Sequence, residues 1–311
     1  MKISIKESPQ VSDKSNKSIS LVLSCGGARG LAHIGIIEVL QEHGYSIDSV
    51  SGSSIGAVIG GVFAAGKLAD YKDWICSLKS NDVIKLMDLT LSSQGLLKGD
   101  KVFNTMKRFM SDVNIEDLNI PFVAVGTDLR RKKEVVFNRG KLYEAMRASV
   151  AVPGIITPLV MEGREVVDGG VLSPIPIEFA VRKAKDLLVI SNMNAQNCQP
   201  KTRLINKNDS KAWSDKILNN SGNFNKNSND KMKIHSIYYD SVSLMIDKIS
   251  QLTIEKYNPD IIVNIEKDTC GMFEFHLAKE LIQLGRDSCL ESLSQIKSSS
   301  QSEKHINLEY A

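Results

Sequence analysis

The sequence predicts an α/β protein: three layers, α/β/α, around a mainly parallel central sheet. Three observations predict it. Short β-branched and aliphatic runs alternate with amphipathic or small-residue stretches, as expected for strands covered by helices on both faces. Three glycine-rich turns each follow such a run directly, which puts them at strand ends, where ligands bind in open α/β sheets. In 311 residues, 42% apolar and 24% charged content is ordinary for a globular chain and ample for a large core.

The net charge of +3 is too small to point to nucleic acid. Cys25, Cys76, Cys198, Cys270 and Cys289 are scattered, odd in number and lack a C-x-x-C pair, so they read as free thiols in a reducing compartment. Residues 1–17 are polar, without a signal-peptide core, and read as a disordered lead-in. The expected location is the cytoplasm, with peripheral membrane contact as a further expectation.

Residues 18–24, SISLVLS, form the first predicted strand. It runs into Cys25-Gly26-Gly27-Ala28-Arg29-Gly30, and a helix follows from Leu31 to a stop at Gly44. Free N–H groups and a helix start make that turn an anion-binding nest. It could hold a dinucleotide, with Asp48 on the ribose, or an ester oxyanion at Gly26 and Gly27, or it could simply pack a helix. Cys25 at the first glycine position weighs against the dinucleotide.

The next apolar run ends in Gly52-Ser53-Ser54-Ile55-Gly56, a G-x-S-x-G turn before a small-residue helix. Such a turn exposes the middle serine, Ser54, at a strand tip, with the positive helix end beside it. That helix, interrupted by glycine and serine, reads as buried rather than membrane-spanning.

Residues 69–80 read as an amphipathic helix, 81–98 as irregular, and Asp100 as the cap of a helix reaching Met110. Met87, Leu89, Leu91, Leu96 and Leu97 fit either an acyl pocket or core packing. Residues 120–128 form a buried strand, then Arg130-Arg131-Lys132-Lys133 turns a hairpin into residues 134–137. The basic turn suits anionic headgroups or plain solvent. A helix over 141–150 leads to a small-residue loop with Pro153, and Ser149 there reads as structural. A strand then delivers Asp168, with Gly169 and Gly170 turning the chain away.

Residues 174–184 read as a short helix, 186–191 as a strand, 235–256 as a long helix and 260–265 as a strand. A last helix starts near Phe273, and a polar tail covers 298–311. Between them, 199–233 holds eight basic and three acidic residues and reads as a flexible insertion, in which Trp213, Ile217 and Leu218 could form a small lid. No internal repeat is present, and 18–297 reads as one domain.

C-G-G-A-R-G-L-A-H-I-G, G-S-S-I-G-A and Asp168-Gly169-Gly170, in that order, resemble the motif blocks of patatin-like phospholipases. The branch is the bacterial one, similar to the catalytic domain of neuropathy target esterase. Arg147 to Gly154 resembles a further block, and the resemblance covers about 18–296. It implies the patatin-like form of the α/β/α fold. It implies Ser54 as nucleophile, Asp168 as its partner, an oxyanion hole at Gly26, Gly27 and Ala28, and Gly30, Gly52, Gly56, Gly169 and Gly170 as motif glycines. Arg29 would support the loop or meet the substrate phosphate. The implied substrates are phospholipid or lysophospholipid esters, with no cofactor and no metal. The family usually has glycine where Cys25 stands, which requires the backbone there to avoid positive φ.

None of His33, His43, His235, His276 and His305 lies in a glycine turn like that of Asp168, so the expected machinery is a Ser–Asp dyad working through an acyl-enzyme. An acyltransferase using the same intermediate, and a non-catalytic membrane-surface regulatory protein, are the alternatives. Cys25 as nucleophile is a further one, since a helix start lowers a thiol pKa.

Overall fold

The computed structural model describes residues 17–92, 95–196 and 229–309. The lead-in over 1–16 and most of the expected insertion, its residues 199–228 with Trp213, Ile217 and Leu218, lie outside the described residues. Strands β1 (Lys17–Leu23) and β2 (Tyr45–Ser53) come first, and β3 (Leu89–Ser92) and β4 (Gly95–Leu97) form a separate hairpin. Then come β5 (Phe122–Asp128), β6 (Lys133–Phe137), β7 (Leu159–Met161), β8 (Arg164–Asp168), β9 (Leu187–Ala195) and β10 (Ile261–Glu266). The main sheet runs β10-β9-β1-β2-β5-β8-β7, with β6 also on β5. The five strands from β10 to β5 are parallel, β6 and β8 run antiparallel to β5, and β7 runs antiparallel to β8.

The helices are α1 (Ala32–Glu42), α2 (Ile55–Ala64), α3 (Leu68–Ser77), α4 (Ser80–Leu86), α5 (Asp100–Met106), α6 (Leu142–Ser149), α7 (Asn229–Tyr257) and α8 (Ala278–Glu309). Alternation along the strands assigns the layers. Leu21, Leu23 and Val189 join one core with Ile34, Ile59, Met146 and Leu281 from α1, α2, α6 and α8. Val22, Leu188 and Ile190 point the other way, against Ile175, Ile177 and the Ile254 and Tyr257 side chains of α7. Side chains one residue apart face opposite sides of a strand, so one sheet feeds two cores.

Helices α1 and α8 cross at glycine. A Cβ at Gly35 would stand 2.0 Å from the Ile282 carbonyl oxygen, and one at Gly285 2.1 Å from that of Ala32. Backbone atoms cannot yield cheaply, so Gly35→Ala is expected to cost about 3 kcal/mol. A thermal melt should fall by roughly 5 °C; an unchanged melt would mean the helices do not approach so closely.

Four sequence expectations change. Residues 174–184 hold only a 3-10 turn, Ile177–Phe179, rather than a helix. Pro174 and Pro176 disfavour helical backbone before them, and the Phe179 and Val181 carbonyls accept from the Ser51 and Ser49 hydroxyls of β2 instead of from helix N–H groups. The expected irregular stretch over 81–98 contains α4 and the β3–β4 hairpin, because the Asp82 carboxylate takes the Lys79 N–H and starts a helix. Gly99, at φ 78°, is the residue before α5, while the Asp100 carboxylate is taken by Arg147 at 3.2 Å. The polar stretch from Ser298 continues α8 to Glu309.

Candidate active site

One strand brings the two candidate catalytic residues together. Along β5, Val125 pairs with Ser53 of β2, and the next residue, Gly126, pairs with Asp168 of β8. Both positions also pair with β6 on the opposite edge. Strands β2 and β8 therefore share one edge of β5 and meet tip to tip. The residue after Ser53 is Ser54, and its Oγ donates to Asp168 Oδ2 at 2.5 Å. The carboxylate thus arrives on an antiparallel strand, against the main direction of the sheet.

Ser54 sits in a strained turn, with φ 55° and ψ −124°. For a residue with a Cβ such backbone costs on the order of 1–3 kcal/mol. The flanking glycines make the turn possible: a Cβ at Gly52 would lie 2.3 Å from the Gly56 oxygen, and one at Gly56 2.3 Å from the Leu23 oxygen. Ser149 braces the turn. Its hydroxyl accepts the Ser54 N–H at 2.9 Å and donates to the Val125 carbonyl at 2.6 Å. Ser149→Ala orphans that buried N–H, so we expect a loss of about 2 kcal/mol in denaturant unfolding together with slower ester hydrolysis. Intact stability would show that the brace is dispensable.

Asp168 is 5% exposed and Ser54 7%. Burial pushes the Asp168 carboxyl up to about 6, against the opposing hydrogen bonds from Ser54 and from the Gly170 N–H at 2.7 Å. Desolvation penalises the charged form, and here it wins. Gly169 packs under the Val125 carbonyl and Ser53 Oγ.

The nest loop runs beside this pair. Gly27 has φ +57°, and a Cβ on it would meet the Met272 oxygen at 2.8 Å; one on Gly26 would meet Met193 Cβ at 2.5 Å. Gly30 faces Ile55 at the start of α2. Ala28 departs from its expected role. Its N–H donates to the Met272 carbonyl at 2.8 Å, so it is already spent. Arg29 also turns inward: Nε donates to the Met193 carbonyl at 3.1 Å, Nη1 to the Cys270 carbonyl at 3.3 Å and Nη2 to Asn194 Oδ1 at 3.4 Å. These contacts bind loop to sheet. Asn194 completes the clamp through Nδ2 on the Cys25 carbonyl at 2.9 Å. Sequence reasoning missed Asn194 and Met272, and no local pattern of residues marks either of them.

Cys25 is absent from the positive-φ residues, so a side chain is tolerated where the family pattern has glycine. Burial and the neighbouring Asp168 charge push its thiol up to about 12, which suppresses the thiolate that a nucleophile needs. Cys25, Cys76, Cys270 and Cys289 are all free thiols.

His33 is fully buried, with Nδ1 2.7 Å from Ser191 Oγ and Nε2 3.0 Å from the Ser24 carbonyl. A carbonyl only accepts, so Nε2 carries the proton. Burial holds the ring down at about 4, hence neutral. It fastens α1 to the end of β1 and to β9, and both ring nitrogens are taken by Ser191 and Ser24. Asp48 lies at the opposite end of β2 and pairs with Lys183 at 3.0 Å, so it is not near the nest, as the dinucleotide arrangement required. It lines a cavity of about 560 Å³ with Tyr45, Ile47, Phe63 and Lys183, at the far pole from the dyad. Of the candidate acyl-pocket residues, Leu97 is buried, Met87 and Leu96 are half-buried, Leu89 is exposed, and the side chain of Leu91 is not described.

A family model described as patatin-like phospholipase matches residues 21–181. The chain belongs to the patatin-like phospholipase family. The matched span contains the nest, the serine turn and Asp168. An uncharacterized NTE family protein of Mycobacterium bovis is 29% identical over 337 residues, covering 91% of this chain and 93% of that protein. Patatin-like phospholipase domain-containing protein 6 of Mus musculus is 31% identical over 58% of this chain and 14% of its own length. Neuropathy target esterase sws of Drosophila persimilis is 34% identical over 51% of this chain and 12% of its own. Among solved structures, VipD from Legionella pneumophila is similar at a TM-score of 0.43 and 14% identity, over 90% of this chain and 67% of that one. Membership in this phospholipase family supports lipid hydrolysis in general. No helix among the described residues is long and apolar enough to cross a membrane.

Proposed function

We propose that this patatin-like protein cleaves carboxylic esters of phospholipids or lysophospholipids through a Ser54–Asp168 dyad and an acyl-enzyme. The observation that carries the reading is the 2.5 Å contact between Ser54 Oγ and Asp168 Oδ2, at the tip of a strained turn. Asp168 takes the hydroxyl proton as Oγ attacks the ester carbonyl. The oxyanion is held by the N–H groups of Gly26 and Gly27, aided by the start of α2. Asp168 returns the proton to the departing alcohol, leaving an acyl group on Ser54. Water, deprotonated by Asp168, then releases the acid. A carboxyl near 6 is a better base than one at the usual ~3.9, and is still ionised at neutral pH. Arg29 supports the loop in this scheme, since its guanidinium is spent on the chain's own oxygens. The same reading treats 18–297 as one hydrolase domain.

The test is covalent labelling with a fluorophosphonate followed by peptide mass mapping. An adduct on Ser54 supports the scheme; an adduct elsewhere, or none in a protein that hydrolyses esters, defeats it.

A further inference from the structure

The dyad occupies the carboxyl-terminal pole of the sheet, and two sets of elements rise above that pole on opposite flanks. On the β9–β10 flank, Asp247 of α7 accepts from Gln196 Nε2 at 2.6 Å and from Lys267 Nζ. Those two residues directly follow the ends of β9 and β10. Farther along, Ile254 and Tyr257 pack on Leu188 and Ile190, near the other end of β9. Helix α7 therefore descends from the pole, and everything before Asp247 overhangs it. At 1.5 Å per residue, Ile237 stands roughly 15 Å beyond Asp247. The overhang exposes Ile237 (65%), Tyr238 (54%), Leu244 (65%) and Met245 (56%). A spacing of seven residues, 237 to 244 and 238 to 245, puts them on one stripe.

On the β5–β8 flank, β5 continues three residues past Val125, the partner of Ser53, to Asp128. The turn after it thus stands about 10 Å above the level of Ser53. It exposes Leu129 beside the cations of Arg130, Arg131, Lys132 and Lys133, and Val160 of β7 is 66% exposed. Arg130 is met by Glu165 at 3.2 Å and Arg131 by Asp128 at 3.9 Å, so Lys132 and Lys133 supply the outward charge. Strand order puts Ser54 between the two flanks.

We infer that this pole is a docking face for an anionic lipid surface. The α7 stripe enters the acyl region, and Lys132 and Lys133 meet the headgroups. Exposed apolar residues on both flanks of the proposed ester-cleaving site, with cations beside those of the β5–β8 flank, match a bilayer's own layering. The inference rests on the lipid-hydrolase reading, and binding measured without turnover tests it separately.

The test is flotation of the full-length protein with phosphatidylcholine vesicles, with and without about 30 mol% phosphatidylglycerol. The triple variant Ile237→Ser, Leu244→Ser, Met245→Ser should bind both vesicles about ten-fold more weakly or worse. Lys132→Glu with Lys133→Glu should weaken binding to the anionic vesicles alone and remove its salt dependence. Both variants should keep the wild-type melting temperature and wild-type turnover of a soluble short-chain ester. Unchanged vesicle binding in both variants overturns the inference, as does a wild type that fails to float. Conversion of a dimer to a monomer by the triple variant, read by light scattering, also overturns it by making the stripe a subunit seam. Failure of the wild type on the soluble ester would defeat the dyad reading while leaving the flotation result standing.

Discussion

Replacing Ser54 by alanine is expected to lower ester hydrolysis by about 10⁴-fold or more and to abolish fluorophosphonate labelling. The physical reason is singular supply. The strained turn presents one hydroxyl to the Asp168 carboxylate. Ser149 is committed to the Ser54 N–H and the Val125 carbonyl, and Cys25 is held as a thiol by burial. Neither of these two can take over the attack. The fold should survive, because alanine keeps the Cβ and only the Asp168 hydrogen bond is lost. Undiminished labelling of Ser54→Ala would falsify the assignment.

Asp168→Asn should reduce kcat by about 10³- to 10⁴-fold, since the amide cannot accept the proton. The pH behaviour makes the prediction sharper. With a carboxyl near 6, wild-type kcat/KM should fall about ten-fold per unit as the pH drops below that value. Stability runs the other way. The folded-state value of about 6 lies above the unfolded one of ~3.9, so the carboxyl's contribution is fully present below pH ~4 and is lost as pH rises through about 6. The asparagine variant escapes that loss. At pH 8 it should melt above wild type, by on the order of 1–2 kcal/mol after losing one hydrogen bond, and at pH 4 it should not. A variant within ten-fold of wild-type turnover would remove Asp168 from the role of base. Equal melts of the two proteins at pH 8 would mean the carboxylate is solvated after all.

The parts of the candidate site were legible because they are written locally. Glycines at Gly26, Gly27, Gly52 and Gly56, each beside an apolar run, signal turns that only small residues can make, and the spacing of G-x-S-x-G marks one serine among many. Alternating apolar periods likewise announced most strands and the helices α1, α2 and α6, whose burial follows from their own residue order. Residues 174–184 depart from the helical pattern because prolines and competing side-chain donors from β2, the Ser49 and Ser51 hydroxyls, outweigh it. The fate of Ala28 and Arg29 was equally out of reach. Their partners, Met272, Met193, Cys270 and Asn194, lie more than a hundred residues away along the chain.

By itself, then, the sequence determined the kind of site: a serine on a sharp turn, an anion nest before it and a carboxylate after it. Only the tertiary structure decided that they meet. Ser54 and Asp168 are 114 residues apart. They touch because β5 lends one edge to two strands running in opposite directions, whose tips end at Val125 and Gly126. Strand pairing over such a separation is a property of the whole sheet, and no local pattern of residues encodes it.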